Sequence, residues 1–167
     1  MATWAPIAPQ IGLQPITDTG TTQKHPLGTR VKAKDVSNTT SFGEAEFIYL
    51  KGVASTAAAD WVTYNATDFT TTRLAANAVG SVAVAMSANV ASQYGWYCIF
   101  GKCNGLSAND IAINLPVYIG GTAAVDDAVV DGDLIHGAFS RSTITGAVAT
   151  GVFELTYPFV LDTTGAD

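Results

Sequence analysis

Val79–Lys102, VGSVAVAMSANVASQYGWYCIFGK, is the stretch that decides the fold class. Val82, Val84 and Met86 alternate with small residues, and a polar Ser/Asn/Gln stretch interrupts them. Tyr94-Gly95-Trp96-Tyr97 then opens a second apolar run that ends at Phe100-Gly101-Lys102. A period of two sends successive side chains to opposite faces of a strand, whereas a helix repeats its apolar positions every three to four residues. The block therefore predicts two β-strands across a turn-rich gap. It holds almost no group able to do chemistry, so function is expected at the ends and edges of the fold.

The same pattern extends on both sides. Glu46-Phe47-Ile48-Tyr49-Leu50 reads as a strand closed by Lys51-Gly52, and Asp60-Trp61-Val62-Thr63-Tyr64 as another, ended by an Asn-Ala-Thr-Asp turn. Leu115–Ile119 stops at Gly120-Gly121, and Leu134–Phe139 and Gly151–Val160 follow. Short strands recurring at roughly ten-residue intervals between Gly-rich turns predict a mainly β fold, a single compact sandwich or barrel-like domain. Ser55–Asp60 and Ser87–Ser92 have helical character but are too short to stand alone, since isolated helices under about 12 residues are marginal. Ala123–Val130 fits helix or strand, with Asp126 and Asp127 favouring a loop.

Residues 1–43 differ from this. They carry Pro6, Pro9, Pro15 and Pro26, four of the six prolines, and two polar runs at 17–22 and 37–41. Proline lacks a backbone donor and breaks helices and central strands. The segment is expected to be an extended arm, with one short strand at Thr29–Ala33, ahead of a β-rich domain over 44–167. About 40 extended residues reach about 130 Å, far beyond a small domain. Trp4, Ile7, Ile11, Leu13 and Ile16 would lie on a neighbouring surface rather than in water, and an arm of this kind is expected to be dispensable for folding.

Only 13% of the 167 residues are charged, about half the usual ~25%. The chain is too poor in charge for a solvated coil, and no apolar run approaches the ~20 residues of a spanning helix. A surface so poor in charge is expected to be covered in part by a partner. MATWAPIAPQIG lacks the basic start and apolar core of a secretion signal, which predicts a protein made in a cytoplasm. The Asn38 and Asn65 sequons are then incidental. A net charge of −6 argues against phosphate neutralisation, so nucleic acid is not expected as a partner, and without a spanning run neither is a membrane. The charge is segregated: residues 1–51 carry a net +1 and residues 110–167 a net −7, with Arg141 the only base of the latter. Lys24, Arg30, Lys32 and Lys34 could meet an acidic neighbour such as another copy's C-terminal half, or be a solvated basic stretch.

Candidate chemistry is sparse. Nucleophilic catalysis needs a Ser or Cys with a His base and an orienting acid. The only histidines are His25, among the prolines, and His136, in a predicted strand near Asp131 and Asp133, and no Gly-X-Ser-X-Gly elbow is present. Cys98 and Cys103 are one pair without a Cys-X-X-Cys spacing. They are too few for a structural zinc and are expected to be buried thiols or to pair across a hairpin at Gly101. Asp126, Asp127, Asp131 and Asp133 could donate oxygens to a cation, or form a solvated acidic turn; the spacing is not that of an EF-hand. Glu44 and Glu46, alternate residues at a strand edge, are expected to hydrate the outside rather than to face a partner carboxylate across a groove. Trp96 and Tyr97 point to opposite faces of one strand, so at most one is expected in the core; an outward aromatic can bind sugars or protein. No catalytic residue, metal or cofactor is expected.

Taken together, KHPLGTRVKAKD, GEAEFIYLKGVAS, DWVTY, TRLAANAVGSVAVAMSANVASQYGWYCIFGK, LPVYIGG and DDAVVDGDLIHGA resemble the decoration (cement) proteins of tailed-bacteriophage capsids. The likeness runs from about Lys24 to Val160 and rests on overall pattern: Lys-Gly after a strand, Gln-Tyr-Gly-Trp-Tyr, and the late Gly-Asp-X-Ile. It implies a small β-rich structural protein and no enzyme. Such a protein would sit on the outer surface of the virion, often as a homotrimer, and bridge neighbouring subunits of the major capsid protein. The cysteines are not expected of that type. On this basis Trp4, Ile7, Ile11, Leu13, Lys24, Arg30, Lys32 and Lys34 are the candidate contact residues. The rival expectation is a phage tail or baseplate β-module that binds host glycans through exposed aromatics.

Overall fold

The structure, a computed structural model, describes residues 2–8 and 12–162. These contain twelve strands and no helix. In chain order they are β1 (Trp4–Pro6), β2 (Thr19–Gly20), β3 (Arg30–Asp35), β4 (Glu44–Lys51), β5 (Trp61–Tyr64) and β6 (Thr71–Arg73). Then come β7 (Gly80–Ala85), β8 (Tyr94–Ser107), β9 (Pro116–Gly121), β10 (Ala124–Asp126), β11 (Leu134–Ser140) and β12 (Ala149–Val160). The mainly β, single-domain expectation holds, and all twelve strands join one sheet in the order β1-β3-β4-β8-β10-β9-β11-β12-β7-β5-β6, with β2 added to β8.

β8 organises the sheet. Its first half lies between β4 and β7, with Phe47 and Val84 both opposite Cys98. Its second half pairs with β12 from Phe100↔Thr156 to Ser107↔Ala149. Ser107 also meets Val125 of β10 in parallel. The path β8-β10-β9-β11-β12 thus returns to β8, a ring that hides sheet edges. The strand continues through Gly101, so the alternative of a hairpin there with a disulfide across it does not form, and both thiols stay free and buried. Gly101 has φ +86°, and a side chain there would collide with the Glu44 carbonyl. Here the β4 pairing slips, so that Glu46 opposes Phe100 while Phe47 opposes Cys98. A bulge of this kind resets the in/out alternation, and Cys98 and Cys103, five residues apart, therefore enter the same core.

The first half of β8 is buried on both faces. Phe47, Tyr49, Trp61, Val84, Trp96 and Cys98 belong to the main core, while Ile48, Leu50, Val62, Ala83, Ala85, Tyr97 and Ile99 form a second one, flanked by Tyr64 and Phe69. Trp96 and Tyr97 are consequently both fully buried, against the expectation of one. The short helices do not form. Ser55–Asp60 is a turn whose Ala57 N–H is held by Asp60 Oδ2 at 3.0 Å, and Ser87–Ser92 starts on a bend at Met86–Ser87 and ends in a turn at Ala91–Ser92.

Residues 1–43 do not extend away from the domain where they are described. β1 pairs antiparallel with β3, and β3 with β4. Ile16 joins the main core. Gln14 is buried, and its carbonyl accepts Trp96 Nε1 at 2.9 Å. Its Oε1 accepts the Tyr49 hydroxyl at 3.1 Å, and its Nε2 donates to Asp18 O at 2.9 Å. In the single chain the segment is a folded flap, because its apolar residues find their partner surface on their own β4 and β8.

Candidate functional site

The groups able to do chemistry are dispersed. His25 Nε2 accepts the Gln14 N–H at 3.1 Å, and its ring packs against both Tyr49 and Trp96. Burial, with Lys24 nearby, lowers its pKa, so the neutral imidazole is the form this contact uses. His136 stacks on Phe159 with centroids 4.8 Å apart. Asp133, near it in sequence, is occupied in accepting the Asn77 N–H. The cysteines are buried and not disulfide-linked. The Cys98 hydrogen bond, then burial, push the Cys103 thiol well up, away from nucleophilic chemistry. Burial likewise pushes the Tyr97 hydroxyl up to about 12.

The aspartate loop is a scaffold. Asp126 Oδ1 accepts the N–H groups of Asp127 and Ala128, and its Oδ2 accepts Asn109 Nδ2 at 2.6 Å. Asp127 Oδ2 accepts the Ala112 N–H at 3.0 Å. Carboxylates turned onto backbone in this way do not converge on one point, and among the described residues no group of three or more His, Cys, Asp or Glu could hold a metal.

The candidate contact residues divide. Trp4 packs inward, edge-on to Phe47 at 4.9 Å, and Leu13 lies half-buried against the main core. Ile7 is 44% exposed, just beyond β1. Ile11 lies outside the described residues. Lys24 is exposed and gives its backbone N–H to the Tyr49 hydroxyl. Arg30, Lys32 and Lys34 occupy the outer face of β3, because Val31 and Ala33 take the inner one.

That basic row borders a cluster the sequence did not reveal. Tyr157 is exposed beside Phe100, with ring centroids 5.2 Å apart, and the Arg30 guanidinium stands over its ring at 5.8 Å. Its hydroxyl donates to Glu46 Oε2 at 3.1 Å, and Glu46 also pairs with Arg30 at 3.6 Å. Glu46 is thus buried as the joint of this cluster and does not hydrate the outside as expected. Tyr157 has φ +48° in the bulge where β12 gains residues against β11, between Leu155↔Ala138 and Phe159↔His136. Such bulges re-aim side chains. Two hollows of about 210 and 110 Å³ flank Tyr157, one bordered by Arg30 and Ile99, the other by Lys32 and Phe100. The only forewarning in the sequence was Pro158 inside a long strand pattern, which marks a bulge or an edge.

Three of the exposed aromatics carry a cationic or aromatic neighbour on one ring face. Arg30 stands over Tyr157, Arg141 over Phe139 at 5.5 Å, and His136 over Phe159. No protein-family model, curated protein or solved structure matches this chain.

Proposed function

We propose that this chain is a capsid decoration (cement) protein of a tailed bacteriophage. It binds the outer surface of the head as a homotrimer and bridges neighbouring major capsid protein subunits. It is a structural protein of the virion rather than an enzyme, made in the host cytoplasm. The observation that carries this role is the surface built around Tyr157. Exposed Phe100 and Tyr157 are fixed in place by Arg30 and Glu46 and bordered by the exposed Lys32 and Lys34. Rigid Tyr and Arg anchors with a polar rim are the usual makeup of a protein-binding hot spot. The dispersal of the histidines, thiols and carboxylates, together with the resemblance carried by Lys24–Val160, points the same way.

The role is tested by co-sedimentation with heads assembled from the major capsid protein of the same genome. Wild-type chain is expected to pellet saturably, and the double variant Lys32→Glu, Lys34→Glu to lose most of that occupancy while keeping its melting temperature. Absence of wild-type pelleting overturns the role. Deleting residues 1–20 is not a clean test, since it removes Gln14 and Ile16 from the fold.

A further inference from the structure

The loop between β10 and β11 exposes the chain's most accessible large hydrophobic among the described residues. Val129 is 74% exposed and Val130 44%, with Asp131 exposed beside them and no base between Asp126 and Asp133. The loop is nevertheless held at both ends. Asp126 and Asp127 bind backbone and Asn109 at its start. At its end the Asp133 N–H donates to Val130 O and the Asp133 carboxylate holds Asn77. Two valines fixed in water on a braced loop form a pre-organised apolar knob with an acidic rim. Little ordering entropy remains to be lost when such a knob docks.

The surface around Tyr157 is its counterpart. It offers aromatic walls and a hollow of about 210 Å³, room for a branched aliphatic side chain, bordered by Arg30; Lys32 borders the second hollow on the other side of Tyr157, and Lys34 lies further along the outer face of β3. Glu46 is already engaged by Arg30 and the Tyr157 hydroxyl, and among the described residues neither Lys32 nor Lys34 forms an ion pair. We propose that the Val129–Asp131 knob of one copy docks into the Tyr157 hollow of a second copy, with Asp131 meeting the β3 lysines. The charge segregation of the chain, net +1 over residues 1–51 and −7 over 110–167, favours this occupant. Knob and hollow are different surfaces, so each copy both gives and receives, which allows paired or closed-ring assemblies. This deepens the assembly role proposed above: the Tyr157 surface serves the copy–copy contact of the homotrimer, and Lys32→Glu, Lys34→Glu loses head occupancy by breaking that trimer. The contact itself is tested on the purified chain alone.

Sedimentation equilibrium of the full chain, at low salt and with added sodium chloride, reads the association directly. Wild type is expected to self-associate, more weakly at high salt. Val129→Ser and Tyr157→Ala are each expected to weaken association about tenfold or more, as loss of a buried anchor does. Asp131→Lys is expected to weaken it, and mixing Asp131→Lys with Lys32→Glu, Lys34→Glu to restore it. Val129 is solvent-exposed, so its variant should melt with wild type. A monomeric wild type at all concentrations overturns the proposal, as does association indifferent to Val129 and Asp131. Head binding by a monomeric chain would overturn this interface while leaving the decoration role standing.

Discussion

Gln14→Ala asks whether the N-terminal flap is part of the fold. Gln14 is 1% exposed, and the substitution removes the acceptor for the fully buried Tyr49 hydroxyl and the donor to Asp18 O and Tyr94 O. An orphaned buried polar group costs about 1–3 kcal/mol, and the vacated volume adds to that, for a loss of about 2–4 kcal/mol. In a domain of this size each kcal/mol lowers the melting midpoint by about 2–4 °C, so a drop of roughly 4–16 °C is expected by circular dichroism. Ile16→Ala, from the main core, should cost about 2–5 kcal/mol. Ile7→Ala, at an exposed position, should stay within about 0.5 kcal/mol. A Gln14→Ala midpoint within about 2 °C of wild type would refute the docked flap and restore a detached arm.

Three further outcomes follow from the same contacts. His25 has a lowered pKa in the folded state, from burial and then Lys24, so the unfolded chain binds its proton more readily. Stability should therefore fall as pH drops through the ordinary histidine value of about 6.5 toward the lowered one, and level off below it. Urea titrations between pH 8 and 5 should show this, and His25→Gln should flatten the profile. Thiol titration without reductant should find no reactive cysteine in the native chain and both after unfolding; rapid native labelling contradicts the buried pair. Gly101→Ala forces an L side chain into a left-handed conformation against the Glu44 carbonyl and should cost at least about 2 kcal/mol in chemical denaturation.

Most strands were legible because alternation and glycine-rich turns are local signals. β4, β5, β7, β9, β11 and β12 fall where the pattern put them, within a few residues. Trp96 and Tyr97 escaped because alternation tells which faces differ, not that both are covered; the second core under Tyr97 is a tertiary fact. The prolines of residues 1–43 do interrupt regular structure, but what fastens the flap is Gln14, whose partners lie up to 82 residues away. The Tyr157 cluster was invisible for the same reason, since Arg30, Glu46, Phe100 and Tyr157 come from four different strands. The Asp126–Asp133 run was conspicuous in composition, yet its two buried carboxylates brace backbone, and the exposed valines between them are the more informative residues.

On the role proposed above, this chain stabilises a capsid by bridging its subunits. The most direct measurement is the temperature at which DNA-filled heads lacking this chain release their DNA, followed by dye fluorescence while purified chain is added. A saturable rise in that temperature, absent for Lys32→Glu, Lys34→Glu, is the predicted result. An unchanged release temperature at saturating chain would contradict it.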